Sequence, residues 1–170
     1  MTAFVGLLRA VNVGGRKLVM TDLKAVAEGL GLGSAKTFIA SGNLLFTTAM
    51  SEGAVKAALE TALTKHMGKP VEVMVRTAKE MAAVARANPF AAEPGNRVAA
   101  IFLDQAPPKD AADLAKNVID ERIKLGTREI YVHYPSGQGQ SKLRIPGAAN
   151  GTARNMNTVQ KLAELAEEMA

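Results

Sequence analysis

Arg9 is followed closely by Asn12, Gly14, Gly15 and Arg16. One or two guanidinium forks with neutral donors beside them is the make-up of a phosphate or carboxylate pocket. Paired glycines allow close backbone approach and can aim N–H groups at an anion, although Gly-Gly also serves an ordinary turn. Gly14-Gly15-Arg16-Lys17 lacks the glycine spacing and the following Ser/Thr of a Walker A loop. Ser41-Gly42-Asn43 offers Ser41 and Asn43 as uncharged donors, and is equally hairpin chemistry. A second group, Arg154 and Asn155, stands just before Asn157 and Thr158, either of which can cap a helix. Arginine ahead of a helix N-terminus suits an anion; alternatively Arg154 pairs with an acid. The expectation is an anionic-ligand site drawn from Arg9, Asn12, Gly14, Gly15, Arg16, Ser41, Asn43, Arg154 and Asn155. The Arg9–Arg16 and Arg154–Asn155 groups are expected to share one cleft.

Other chemistries have little support. The chain has no cysteine, which excludes disulfides, thiolate catalysis and Cys-ligated metals. His66 and His133 have no second ligand at metal spacing, and both read as packed or surface side chains. Asp104, Asp110 and Asp113 suit helix N-termini, and Asp120-Glu121 suits a solvated strand end. No Gly-x-Ser-x-Gly elbow occurs. Ser141-Lys142 is no dyad, because neighbours in a strand point to opposite faces; Lys142 is another cation. No metal, cofactor or catalytic residue is assigned.

Charge concentrates around these groups. Residues 9–20 carry +3 with no acid, and residues 124–161 carry +5 with Glu129 their single acid. The remainder holds 12 basic and 15 acidic side chains, so the net +5 arises in two segments rich in glycine and polar residues. Focused positive charge suits an anionic partner; a basic solvated surface is the alternative. The six-residue apolar run at 98–103 is too short to span a bilayer, and residues 1–10 show no secretory pattern. A soluble, cytoplasmic protein without membrane contact is expected. Its oligomeric state is not legible.

The elements that position these residues follow from periodicity. Residues 4–9 read as a strand, and Thr21 or Asp22 can cap a helix carrying Leu23, Val26, Ala27 and Leu30. Residues 36–40 and 44–48 form a hairpin around Ser41-Gly42-Asn43. Ser51 starts a second helix that ends at Gly68-Lys69-Pro70, and 71–76 is a strand. This β-α-β-β-α-β order predicts a ferredoxin-like sheet of order 4-1-3-2. The β1–α1 loop, the Ser41–Asn43 turn and the turn at Lys69 then share one edge. Thr77-x-x-Glu80 is a capping box for a third helix. Strand 97–103, a short helix from Pro107/Pro108 to about Lys116, a hairpin 118–124/129–134, a long loop and a last helix repeat β-α-β-β-α. The expected class is α+β: two ferredoxin-like (split βαβ) halves with antiparallel sheets, packed together. The expected divisions are 1–77, a helix and linker at 78–96, and 97–170.

Leu8-Arg9-Ala10-Val11-Asn12-Val13-Gly14-Gly15, Ala40-Ser41-Gly42-Asn43, Asn88-Pro89-Phe90, Tyr134-Pro135-x-Gly137, Ser141-Lys142-Leu143 and Thr152-Ala153-Arg154-Asn155-x-Asn157-Thr158 occur in this order. Together they closely resemble the bacterial DUF1697 family, whose function is unknown. The resemblance implies two ferredoxin-like halves and brings no reaction, ligand or catalytic residue. Met156 departs from the family pattern, where an aromatic residue, often Trp, is expected. If that ring stacks on a ligand, this chain binds it less well.

Three functions compete: binding of a small anionic or phosphorylated ligand, a nucleic-acid (RNA) module, and a protein-interaction module without a ligand. Against RNA stand the absence of Trp, only two Tyr and five Phe, and no ring-bearing RNA-recognition signature. Phe4, Phe38 and Phe46 are placed in the core.

Overall fold

The structure, a computed structural model, describes residues 1–9, 17–39 and 41–170. It is an α+β fold with two four-stranded antiparallel sheets and, among the described residues, four α-helices. Contacts divide the chain into two compact units, Met1–Ala82 with Leu162–Ala170, and Ala83–Lys161.

The first unit holds β1 (Thr2–Leu8), α1 (Met20–Gly29), β2 (Gly33–Thr37), β3 (Asn43–Thr48), α2 (Glu52–Met67) and β4 (Val73–Thr77). Its strand order is β2-β3-β1-β4, the ferredoxin-like order read from the sequence. Alternation decides the faces. Phe4, Leu8, Leu44, Phe46, Val73 and Val75 meet Leu23 and Ala27 of α1 and Val55, Leu59 and Leu63 of α2 in one core. Phe4 and Phe46 are directly opposed across β1 and β3, with stacked rings 5.8 Å apart. Ser51 caps α2 by accepting from the Ala54 N–H, as its position predicts. On edge strand β4, the Val73 N–H donates to Glu60 and its carbonyl accepts from Lys56, so α2 satisfies groups that an edge leaves open. Two details differ from expectation. α1 begins at Met20, ahead of Thr21 and Asp22, with Val19 at the cap and no side-chain cap bond. β2 begins earlier, at Gly33, where a Cβ would stand 2.6 Å from Thr47 Oγ1, so a larger residue would turn the Thr47 hydroxyl aside.

The second unit contains part of α3 (Ala78–Arg86), β5 (Val98–Phe102), β6 (Arg122–Leu125), β7 (Glu129–His133), β8 (Thr152–Asn155) and the start of α4 (Met156–Met169). Thr77 and Glu80 form the predicted capping box, each side chain bonding the other's N–H. The strand order β6-β7-β5-β8 repeats that of the first sheet. The cover differs from the predicted β-α-β-β-α. Residues 109–114 form turns, with Ala111 N–H bonded to Pro108 O and Leu114 N–H to Asp110 O. A helix this short is marginal without strong packing, and Lys116 is drawn instead into a bridge with Arg144. The region read as one long loop contains short 3₁₀ turns and then a fourth strand, β8. Ala111, Leu143, Ile145 and Ala148, from turns and loops, pack on Ala99, Ile130 and Val132.

Candidate functional site

β1 ends at Leu8 and delivers Arg9 to the edge shared by the β2–β3 turn and the start of β4. Leu8 N–H donates to Gly42 O and Arg9 N–H to Glu72 O, both at 2.9 Å. The Arg9 guanidinium lies 3.9 Å from the Glu72 carboxylate, and both side chains are partly exposed. Asn43 is fully buried and donates to Phe38 O and Ser41 Oγ, each at 2.9 Å. Its amide locks the turn, so the hairpin reading accounts for Asn43. Topology thus brings Arg9, Ser41 and Asn43 to one edge. Asn12, Gly14, Gly15 and Arg16 lie outside the described residues.

In the second unit, Arg154 sits within β8 and is 6% exposed. It donates to Thr152 Oγ1 at 2.6 Å and Ala153 O at 3.0 Å. Burial lowers its pKa to about 10, which still leaves it charged at neutral pH. Asn155, not Asn157 or Thr158, caps α4: its Oδ1 accepts from Thr158 N–H at 3.0 Å. Met156, where the resemblance led to the expectation of an aromatic residue, is buried and packs in the core.

Other motif residues also hold loops. Glu121 is not a solvated strand end. It is buried, accepts from Ile119 N–H at 2.8 Å and Asp120 N–H at 3.2 Å, and takes a short hydrogen bond from the Ser141 hydroxyl. These donors, Ser141 foremost, hold its carboxyl near a pKa of about 2. Such a carboxylate is a weak general base, so the pair fastens the loop and does not activate the serine. Glu121, Ser141, Tyr134 and Ser136 line a small open cleft. Arg97 reaches Pro135 O at 2.7 Å, under the Tyr134-Pro135-x-Gly137 turn. Asn88 accepts from Phe90 N–H, and Phe90 packs beside His133 with the Arg122 guanidinium 4.9 Å from its ring centroid.

His133 is buried between Arg122, 2.9 Å from Nδ1, and Glu93, 3.2 Å from Nε2. Arginine only donates, so Nδ1 accepts and Nε2 carries the hydrogen facing Glu93. Sequence reasoning missed this group, although the β6–β7 hairpin register places Arg122 opposite His133. Lys116 and Arg144 were not singled out either; they meet through an isolated antiparallel bridge that no local pattern announces. Among the described residues, no group of three or more His, Cys, Asp or Glu is placed to hold a metal ion.

The model of a protein family of unknown function, DUF1697, matches residues 1–131. The chain belongs to the DUF1697 family. The match takes in the whole first sheet and ends within β7, so Ser141, Arg154 and Asn155 lie beyond it. Among solved structures, this DUF1697 chain is similar to the conserved bacterial protein SP0830 from Streptococcus pneumoniae, with a TM-score of 0.81 and 25% identity over 98% of this chain and 99% of that one. No curated protein matches. Among the described residues, no helix of this DUF1697 protein is long and apolar enough to cross a membrane.

Proposed function

We propose that this DUF1697 protein binds a small anionic ligand, a phosphate or carboxylate compound, at the edge of its first sheet. Arg9, Asn12, Gly14, Gly15 and Arg16 form the contact set, with Ser41 beside them. The observation that carries this reading is the placing of Arg9. Two backbone hydrogen bonds fix Leu8 and Arg9 between the β2–β3 turn and the start of β4, so the basic, glycine-rich segment starts from a rigid edge. Rigid support reduces the ordering cost of a binding loop. Arg154 and Asn155 form a second contact set, in the other unit, to be tested separately because both already serve their own strand and helix. The cellular setting we propose is the cytoplasm.

A small ligand is favoured over RNA by the aromatic side chains of the central strands. Phe4, Phe46, Phe102 and Tyr131 are all buried, which removes them as stacking platforms. The test is a thermal-shift screen with phosphate metabolites and oligonucleotides side by side, followed by titration of any hit against Arg9→Met. A bound phosphate compound should lose about 1.5–3 kcal/mol of affinity in that variant, as for loss of a charge-assisted hydrogen bond. It should also show a shallow salt dependence. A steep salt dependence with an oligonucleotide hit would overturn the reading in favour of nucleic acid.

A further inference from the structure

We infer a further anion site, in the second unit, built on the bridge between Lys116 and Arg144 and independent of both the first-sheet edge and the Arg154–Asn155 set proposed above. Lys116 N–H donates to Arg144 O at 2.8 Å and Arg144 N–H to Lys116 O at 3.0 Å. This reciprocal pair makes the two residues direct antiparallel partners. Side chains of such partners stand on the same face with Cβ atoms roughly 4.5–5.5 Å apart, and like charges in that position repel. Both side chains are exposed, and among the described residues neither has a hydrogen-bonding or ionic partner. Together they line an open cleft whose remaining wall is Ile145, Pro146 and Ala149.

The chemistry selects the ligand class. Two adjacent cations match a dianion in charge, and guanidinium and ammonium donors both suit phosphate oxygens. The wall beside them is aliphatic and stiffened by proline, so it suits an apolar body joined to the charged group. A small phosphomonoester with an apolar substituent meets both requirements, and bound phosphate relieves the repulsion between Lys116 and Arg144. The wall is held in place from behind. Gly147 lies so close to the 108–111 turn that a Cβ there would stand 3.2 Å from Pro108.

The test is calorimetric titration of the full chain at low salt with phenyl phosphate, inorganic phosphate and phenol. Phenyl phosphate should bind more tightly than inorganic phosphate, and phenol should give no heat. Lys116→Gln and Arg144→Gln should each weaken phenyl phosphate at least tenfold, while Lys24→Gln, exposed on α1 and in neither proposed site, leaves it unchanged. The bridge itself is main-chain and survives both glutamine substitutions. Should either variant fail to fold, amide chemical shifts of the unaltered protein decide: phenyl phosphate should move residue 116 and residues 144–149. No heat and no shifts at millimolar phenyl phosphate would overturn the site, as would equal affinity in both glutamine variants. Loss on Arg9→Met alone would overturn it and leave the first-sheet reading standing.

Discussion

The two sheets share one strand order, and they differ in what covers them. In the first unit α1 and α2 lay long apolar rows on Phe4, Phe46, Val73 and Val75. In the second, the matching face of β5 and β7 is covered by turns at 109–114 and by the segment 143–148. A helix satisfies its own backbone and needs only its apolar stripe to be received. A cover of turns must satisfy backbone and loop ends through side chains, and the second unit shows the means: Glu121 with Ser141, and Arg97 with Pro135. Similar sheets therefore tolerate different covers, and the irregular cover brings polar side chains from distant segments together. Loops held on a rigid sheet are also where binding residues concentrate.

The largest expected effect separates the two covers directly. Leu59→Ala, in the fully buried row of α2, should cost about 2–5 kcal/mol of stability in urea unfolding. Ile145→Ala should fall at the low end, about 2 kcal/mol, because Ile145 lies at the margin of a loop-built core that can relax around it. Equal losses would break the comparison.

Glu121→Gln probes the fastening of the irregular cover. It should cost about 1.5–3 kcal/mol near neutral pH, the range for hydrogen bonds to a charged group. The sign with pH follows from the folded-state pKa of about 2 against an ordinary 4.5. The contribution is complete above 4.5 and is lost as pH falls through 2. Urea midpoints of the natural protein and Glu121→Gln should therefore converge between pH 5 and 2. A gap that stays constant over that range would assign the stabilisation elsewhere.

Arg154→Met should cost about 1–3 kcal/mol, because Thr152 and Ala153 lose a buried donor. From the sequence alone a much smaller change is expected, since an arginine ahead of a helix is seldom in a core. The burial of Arg154 in β8 reverses that expectation. Its use as a ligand contact requires a loss of affinity beyond the loss of folded protein, read by titration at a temperature where the variant is folded. Smallest of all, Asn155→Ala and Thr77→Ala should each cost about 1 kcal/mol by thermal melting, as helix caps do. Similar values in the two units would show that their difference lies in the cover and not in the helix ends.

Local physics made much of this fold legible. The order of the first sheet follows from strand and helix periodicities with short connections. Ser51 and the Thr77–Glu80 box announce their helices because capping uses residues only three apart. The β6–β7 hairpin around Gly126 was legible, but its first strand, expected over 118–124, is Arg122–Leu125, a mostly exposed segment that leaves Val118 and Ile119 outside it and exposed. The convergence of Arg9, Ser41 and Asn43 followed from topology, whereas the locked amide of Asn43 required coordinates.

Tertiary structure alone decided the rest. β8 escaped recognition because its buried residues are Thr152 and Arg154, polar side chains that leave no apolar alternation to read. The expected helix at 108–116 gave way to turns with a bridge to Arg144, a partner far along the chain. Glu121 reads as solvent-facing until the loop carrying Ser141 returns to meet it. In each case a polar residue's environment was set by distant backbone. Sequence establishes which groups are present and how they repeat locally; only long-range contacts decide which polar groups leave water and what replaces it.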